Sequence, residues 1–239
     1  MNAIAVIPAR LASTRLPRKM LRLIAGKPLV GRVYEAVHAS AGLSQVLIAT
    51  DAEEILEVCK RHGWNARMTS PSHRSGTERV HEISQSIAAE IYINVQGDEP
   101  LVRPEQIGTL LELMKDAQIA VGTLKTPCAA EDVNNPSAVK VVAAPDGRAL
   151  YFSRSTIPFD RDGSGAEYFK HLGLYAYRKR ALDAFVSLPE SALEKSERLE
   201  QLRFLENGIA IHVAETPYDS IGVDTEEDLE RAEAMLTKR

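Results

Sequence analysis

Cysteine is scarce in this chain. The 239 residues include only Cys59 and Cys128, with no CxxC pairing, which excludes a disulfide framework and points to a reducing, cytoplasmic setting. Cys59 falls in phase with Ile55, Val58 and His62, a pattern that predicts a buried thiol. No run of 18 apolar residues occurs, so no membrane span is expected. The N-terminal stretch lacks a basic start and its apolar run is broken at Arg10, so no signal peptide is expected either. The formal net charge of -4 excludes a nucleic-acid binder of the basic kind. Two familiar nucleotide fingerprints are also missing. Gly26-Lys27 is followed by Pro28, Leu21 stands where a P-loop needs its first glycine, and no GxGxxG follows the first apolar run. A P-loop NTPase and a dinucleotide oxidoreductase are thereby disfavoured. Internal repeats and low-complexity segments are absent.

The residues present alternate between two periodicities. Short apolar runs at 3–7, 46–50, 91–95 and 119–123 read as buried strands. Between them, Val30, Val33, Tyr34 and Val37, then Ile55, Val58, Cys59 and His62, repeat at helical spacing. Val80, Ile83 and Ile87 mark a third helix, opened by a Ser75–Glu78 capping box. Ile107, Leu110, Leu111 and Met114 mark a fourth, with Pro104 in its first turn. This alternation predicts an α/β fold with a mostly parallel sheet flanked by helices. Residues 125–190 change character, with strands at 138–142, 149–152 and 172–176 between polar loops. They read as a smaller β-rich lobe within a single domain, suited to substrate selection. Residues 193–205 read as one helix, 209–213 as a strand and 224–236 as a terminal helix.

Three groups of residues carry candidate chemistry. Residues 1–34 contain no Asp or Glu, yet hold Arg10, Arg15, Arg18, Lys19, Arg22, Lys27 and Arg32. This segment follows the first predicted strand, where parallel α/β sheets bind ligands, and its cations suit a triphosphate. Asp98 follows the third strand, with Gly97 allowing a tight turn that aims it over the sheet's end. Asp224 is a second candidate ligand for Mg²⁺, which favours one or two carboxylates with phosphate oxygens and water. Asp224 with Glu227 also reads as a capping box for the last helix. The run 160–165 matches the opening of a calcium-binding EF-hand loop. Its twelfth position falls on His171 rather than Glu, so it reads instead as a mobile, polar active-site loop.

Seven motifs in order, at 7–17, 75–79, 94–100, 149–154, 171–175, 199–203 and 222–225, closely resemble the 3-deoxy-manno-octulosonate (Kdo) cytidylyltransferases. The resemblance spans essentially the whole chain. It implies a Rossmann-like nucleotide-diphospho-sugar transferase fold, a homodimer, and CTP-dependent activation of Kdo for lipopolysaccharide. It further implies that Arg10, Arg15 and Lys19 hold the triphosphate, and that backbone near Ala9 and the segment Ser75, Gly76, Thr77 read the cytosine. Asp98 and Asp224 would hold Mg²⁺. Gln96, Arg154, His171, Tyr175, Glu200 and Gln201 would line the sugar site, and the sugar carboxylate would complete the metal's shell. Two departures stand out: Arg18 replaces the family's glycine, a strain if that glycine has positive φ, and Arg74 replaces a glutamine. Other readings remain open, namely 8-amino-Kdo or another acceptor, or a non-catalytic nucleotide-binding module.

Overall fold

The computed structural model describes residues 1–237. Strand β1, Ala3–Ala9, lies in the interior of the main sheet. β4 (Gln45–Thr50) and then β5 (Ala66–Met68) follow on one side, and β6 (Ile91–Asn94) lies on the other, all parallel. A short hairpin of β2 (Leu23–Ile24) and β3 (Lys27–Pro28) stands apart from the sheet. The chain thus proceeds in one direction from β1 and returns to β1's other edge. That reversal makes β1/β6 the topological switch point, where a crevice opens at the strands' carboxyl ends.

Beyond β6 the sheet continues through β10 (Phe169–Arg178), β7 (Val121–Pro127) and β11 (Ile211–Glu215). β7 and β11 are parallel, whereas β10 runs antiparallel to both β6 and β7. β10 is longer than the apolar run at 172–176 suggests. Its register slips between Leu172 and Tyr175. β8 (Lys140–Ala143) and β9 (Ala149–Ser153) form an antiparallel pair attached to the edge of β10.

Alternation along β1 divides the core between two faces. Ala3, Ala5 and Ile7 join one apolar cluster with Val30, Val33 and Val37 of α1 (Leu29–His38) and Ile107 and Leu110 of α4 (Pro104–Leu113). Cys59, on α2 (Glu53–His62), is fully buried in the same cluster, as its phase predicts. Ile4 and Val6 join the opposite cluster with Val80 and Ile83 of α3 (Gly76–Ser86) and Leu182 and Phe185 of α5 (Lys179–Ser187).

A third cluster joins the two ends of the chain. Leu16, Ile24 and Leu29 pack against Val223, Leu229 and Ala232, the last two on α8 (Glu226–Leu236). Each large side chain buried this way contributes about 1.5–3 kcal/mol. The cluster fixes the C-terminal segment beside the N-terminal basic loop.

The predicted helix over 193–205 is two helices, α6 (Ala192–Glu197) and α7 (Leu202–Glu206), broken at Arg198 in the left-handed region, φ 55°. Arg203 spans the break, donating to Glu194 through Nε at 2.8 Å and Nη2 at 2.5 Å.

Arg18 also has positive φ, at 58°. This is the strain that its replacement of a glycine foreshadows. The left-handed region costs a non-glycine residue about 1–2 kcal/mol. Among the described residues its only ion pair is with Glu54, and both partners are exposed, so that pair offsets little. Arg18→Gly is therefore expected to raise the thermal midpoint by about 1–3 °C in a calorimetric scan; a lower midpoint would show that the Glu54 contact dominates.

Candidate active site

The crevice at the head of β1 is a cleft of about 530 Å³. Ala9, Arg10, Arg15 and Lys19 line it from the N-terminal side, Ser75 and Gly76 from the start of α3, and Gln96 and Asp98 from the loop after β6. Asp224 closes it from the C-terminal side. Eight of the nine residues assigned to nucleotide and metal binding, with Asp224 included, thus converge from four separate segments. The exception is Thr77. It is fully buried behind the cleft, and its hydroxyl donates to Glu200 Oε1 at 2.6 Å.

Lys19 is the centre of this cleft's electrostatics. Its Nζ lies 2.6 Å from Asp98 Oδ2 and 2.9 Å from Asp224 Oδ1. Arg15 Nη2 reaches the other Asp224 oxygen at 2.8 Å. Burial alone would lower the Lys19 pKa, but Asp98 and Asp224 outweigh it and hold the ammonium above its ordinary value. Burial likewise opposes the Asp224 charge, yet Lys19 and Arg15 pull its carboxyl below the ordinary range.

Asp224 is free of the capping duty its sequence suggests. The cap of α8 is Thr225, whose hydroxyl accepts from Asp228 N while the Asp228 carboxylate accepts from Thr225 N at 3.0 Å. Asp224 contributes only its backbone N–H to that box. Its segment is tied to the opposite wall by Val223 N donating to the Asp98 carbonyl at 2.9 Å. Gly97 serves through close approach rather than through unusual φ. A Cβ there would lie 2.7 Å from the Pro8 carbonyl, at the end of β1. The Ser75 cap is confirmed on one side only. Ser75 Oγ accepts from Glu78 N, but the Glu78 carboxylate accepts from Arg74 N at 2.7 Å.

A metal's fit to this site can be judged from its donors. Asp98 and Asp224 converge on one cationic nitrogen and offer hard oxygen ligands, as Mg²⁺ prefers. Among the described residues, no cluster of three or more His, Cys, Asp or Glu is arranged to hold a metal alone. The two carboxylates therefore suit an ion whose remaining ligands are phosphate oxygens and water.

A second cleft, of about 460 Å³, shares Gln96 and Asp98 with the first. All six residues assigned to the sugar line it: Gln96, Arg154, His171, Tyr175, Glu200 and Gln201. The break between α6 and α7 brings Glu200 and Gln201 to its wall. Gln201 is buried, and its side-chain nitrogen has no hydrogen-bond partner among the described residues. Burial, and then the neighbouring Asp98 charge, push Glu99 up to about 7. Burial also holds Glu200 above its usual range. Glu99, Lys170, Arg198 and Ser220 in this cleft, and His73 and Arg79 in the first, are lining residues that sequence reading missed. Arg79 sits one turn after Gly76 inside a recognised motif, a spacing that carried the available signal.

The polar run at 160–165 lines neither cleft. Asp160 accepts from the backbone of Ser164, Gly165 and Ala166 at 2.9–3.1 Å, and so closes its own turn.

His171 is half-buried between Phe152 and Tyr175, and its Nε2 lies 3.1 Å from Thr123 Oγ1. Burial pushes its pKa down to about 3. The folded protein therefore holds His171 neutral while the unfolded chain binds a proton below about pH 6.5. Stability from this site is full above pH 6.5 and is lost as pH falls toward 3. His171→Gln is expected to flatten the fall in unfolding free energy between pH 6.5 and pH 4, measured by denaturant titration; an unchanged slope would place the titrating group elsewhere.

The chain resembles known proteins in sequence and in fold. A family model described as cytidylyltransferase matches residues 4–211. The 3-deoxy-manno-octulosonate cytidylyltransferase of Koribacter versatilis is 66% identical over 239 residues, covering 100% of this chain and 91% of that protein. Its counterpart in Acidobacterium capsulatum is 57% identical over 240 residues, covering 100% and 98%. A solved structure of CMP:2-keto-3-deoxy-manno-octonic acid synthetase complexed with CTP superposes with a TM-score of 0.96 at 43% identity, covering 100% of this chain and 99% of that one. The chain belongs to the cytidylyltransferase family, in its 3-deoxy-manno-octulosonate cytidylyltransferase branch.

Proposed function

We propose that this chain transfers the cytidylyl group of CTP to Kdo, giving CMP-Kdo and diphosphate. The observation that carries the reading is the junction of two clefts at Asp98. One is basic and sits at the switch point of the sheet; the other is lined by amide, imidazole and carboxyl groups suited to hydroxyls. The anomeric oxygen of the sugar forms the new bond to the α-phosphorus. The bond from that phosphorus to the bridging oxygen breaks, diphosphate leaves, and the hydroxyl proton passes to solvent.

Little covalent work falls to the protein in such a transfer; positioning and charge neutralisation dominate. Arg10 and Arg15 offset triphosphate charge from the exposed side of the cleft, and Lys19 does so from its buried floor. Asp98 and Asp224 would hold Mg²⁺, which when bound neutralises phosphate charge and lowers the pKa of the sugar hydroxyl. Ala9, Ser75 and Gly76 form the wall suited to the cytosine. Gln96, Glu200 and Gln201 orient the sugar. His171 is no general base, because an imidazole with a pKa of about 3 accepts protons poorly near neutrality.

Residues 125–190 supply Arg154, His171 and Tyr175 to the second cleft, which supports their reading as the sugar-binding part of a single domain. Among the described residues no helix is long and apolar enough to cross a membrane. The family resemblance supports a cytoplasmic homodimer that supplies activated Kdo to lipopolysaccharide.

Diphosphate release should occur with CTP, Mg²⁺ and Kdo, and fail with ATP, GTP or UTP. Release with 8-amino-Kdo alone would change the acceptor, and no release with any pair would favour a binding module. Asp98→Asn is expected to cut turnover at least 100-fold while circular dichroism stays unchanged; near-native turnover would overturn the role given to this carboxylate.

A further inference from the structure

Three cations line the second cleft: Arg154, Lys170 and Arg198. Two are already engaged. Arg154 donates to the carbonyls of Glu197 at 2.7 Å, Pro136 at 3.0 Å and Arg198 at 3.4 Å. It thereby clasps the α6–α7 break to the turn before β8. Lys170 lies 3.2 Å from Asp132 Oδ2 and 2.9 Å from Asp219 Oδ1, which satisfy its charge.

Arg198 is different. It is exposed, and among the described residues neither a carboxylate nor a carbonyl pairs with its guanidinium. Its backbone is also left-handed, φ 55° and ψ 46°, at the break that forms the cleft wall. A glycine would hold that conformation without the cost an arginine incurs. An unpaired cation on a strained wall of a binding cleft points to a ligand.

The rest of the cleft says which kind. Asp98 there is paired with Lys19, and Glu99 and Glu200 are held toward their neutral forms by burial, which leaves Arg198 as the uncompensated charge and favours an anionic acceptor. Kdo carries a carboxylate. A guanidinium donates strongly to such a group, and one carboxylate oxygen remains for Arg198 where the other completes a metal's shell.

We propose that Arg198 is a specificity-determining residue for the acceptor, donating through its guanidinium to the acceptor's carboxylate. The inference rests on the cytidylyltransferase reading of the two clefts.

The test uses the full-length enzyme with CTP and Mg²⁺, comparing Arg198→Gly and Arg198→Lys with wild type. Arg198→Gly relieves the backbone, so its thermal midpoint should be no lower than wild type. Its KM for Kdo should rise about tenfold. The KM for CTP should stay within about twofold, and kcat should fall less than the Kdo KM rises. The preference for Kdo over its C1 amide should shrink by a similar factor, with Arg198→Lys intermediate. An unchanged Kdo KM, or an unchanged acid-to-amide preference, would overturn the assignment. A rise in the CTP KM equal to that for Kdo would also overturn it, because it would mark a general structural role. Wild-type protein inactive with CTP and Kdo would instead remove the activity reading itself, a failure visible before any variant is compared.

Discussion

The site depends on a single ammonium group. Lys19 holds Asp98 and Asp224, which lie 79 and 205 residues away along the chain, within hydrogen-bond reach of one point. Two carboxylates brought this close repel each other, and the partly buried setting raises the penalty. The ammonium turns that repulsion into attraction. Arg15 reinforces it from the exposed side, and Val223 N, donating to the Asp98 carbonyl, locks the two loops by their backbones. The apolar cluster of Leu16, Val223 and Leu229 keeps the segments together. Packing thus brings the charges into range, and the charges set the final geometry.

The second cleft rests on departures from regular structure. A register slip in β10 between Leu172 and Tyr175 resets the strand that carries both His171 and Tyr175. The Thr123 hydroxyl lies 2.8 Å from the Leu174 carbonyl and 3.1 Å from His171 Nε2, so one side chain supports both the slip and the imidazole. On the facing wall, the left-handed Arg198 stops α6, and the Glu194–Arg203 fork keeps α7 close by. A continuous helix over 193–205 would turn Glu200 and Gln201 through the regular helical spacing. The break instead presents both to the cleft. Glu200 then accepts the Thr77 hydroxyl, which connects the acceptor wall to the first turn of α3.

Elements with strong periodicity were legible in advance. The Ile4–Ile7 run, the Val30 to Val37 spacing and the buried Cys59 appear as expected, because burial on one face or two leaves its period in the sequence. The helix over 193–205 misled, since its apolar spacing persists across the break and only backbone conformation marks the stop. The Asp224–Glu227 cap misled for a related reason. Thr225–Asp228 offers an equivalent box one residue later, and the better N-cap geometry prevails. The short β5 and the hairpin of β2 and β3 carry too few residues to leave a pattern.

The sequence by itself determined the α/β class, the acid-free basic loop after the first strand, the two carboxylates and the motif order of the family. These are properties of local composition and spacing, which need no fold to be read. Tertiary structure alone decided that Lys19 bridges both carboxylates, that Thr77 faces Glu200 rather than the nucleotide cleft, and that the Arg198 guanidinium has no partner among the described residues. Each of those depends on segments far apart in the chain arriving at one place. The sheet's switch point and the packing of α8 on the N-terminal loop set that arrival.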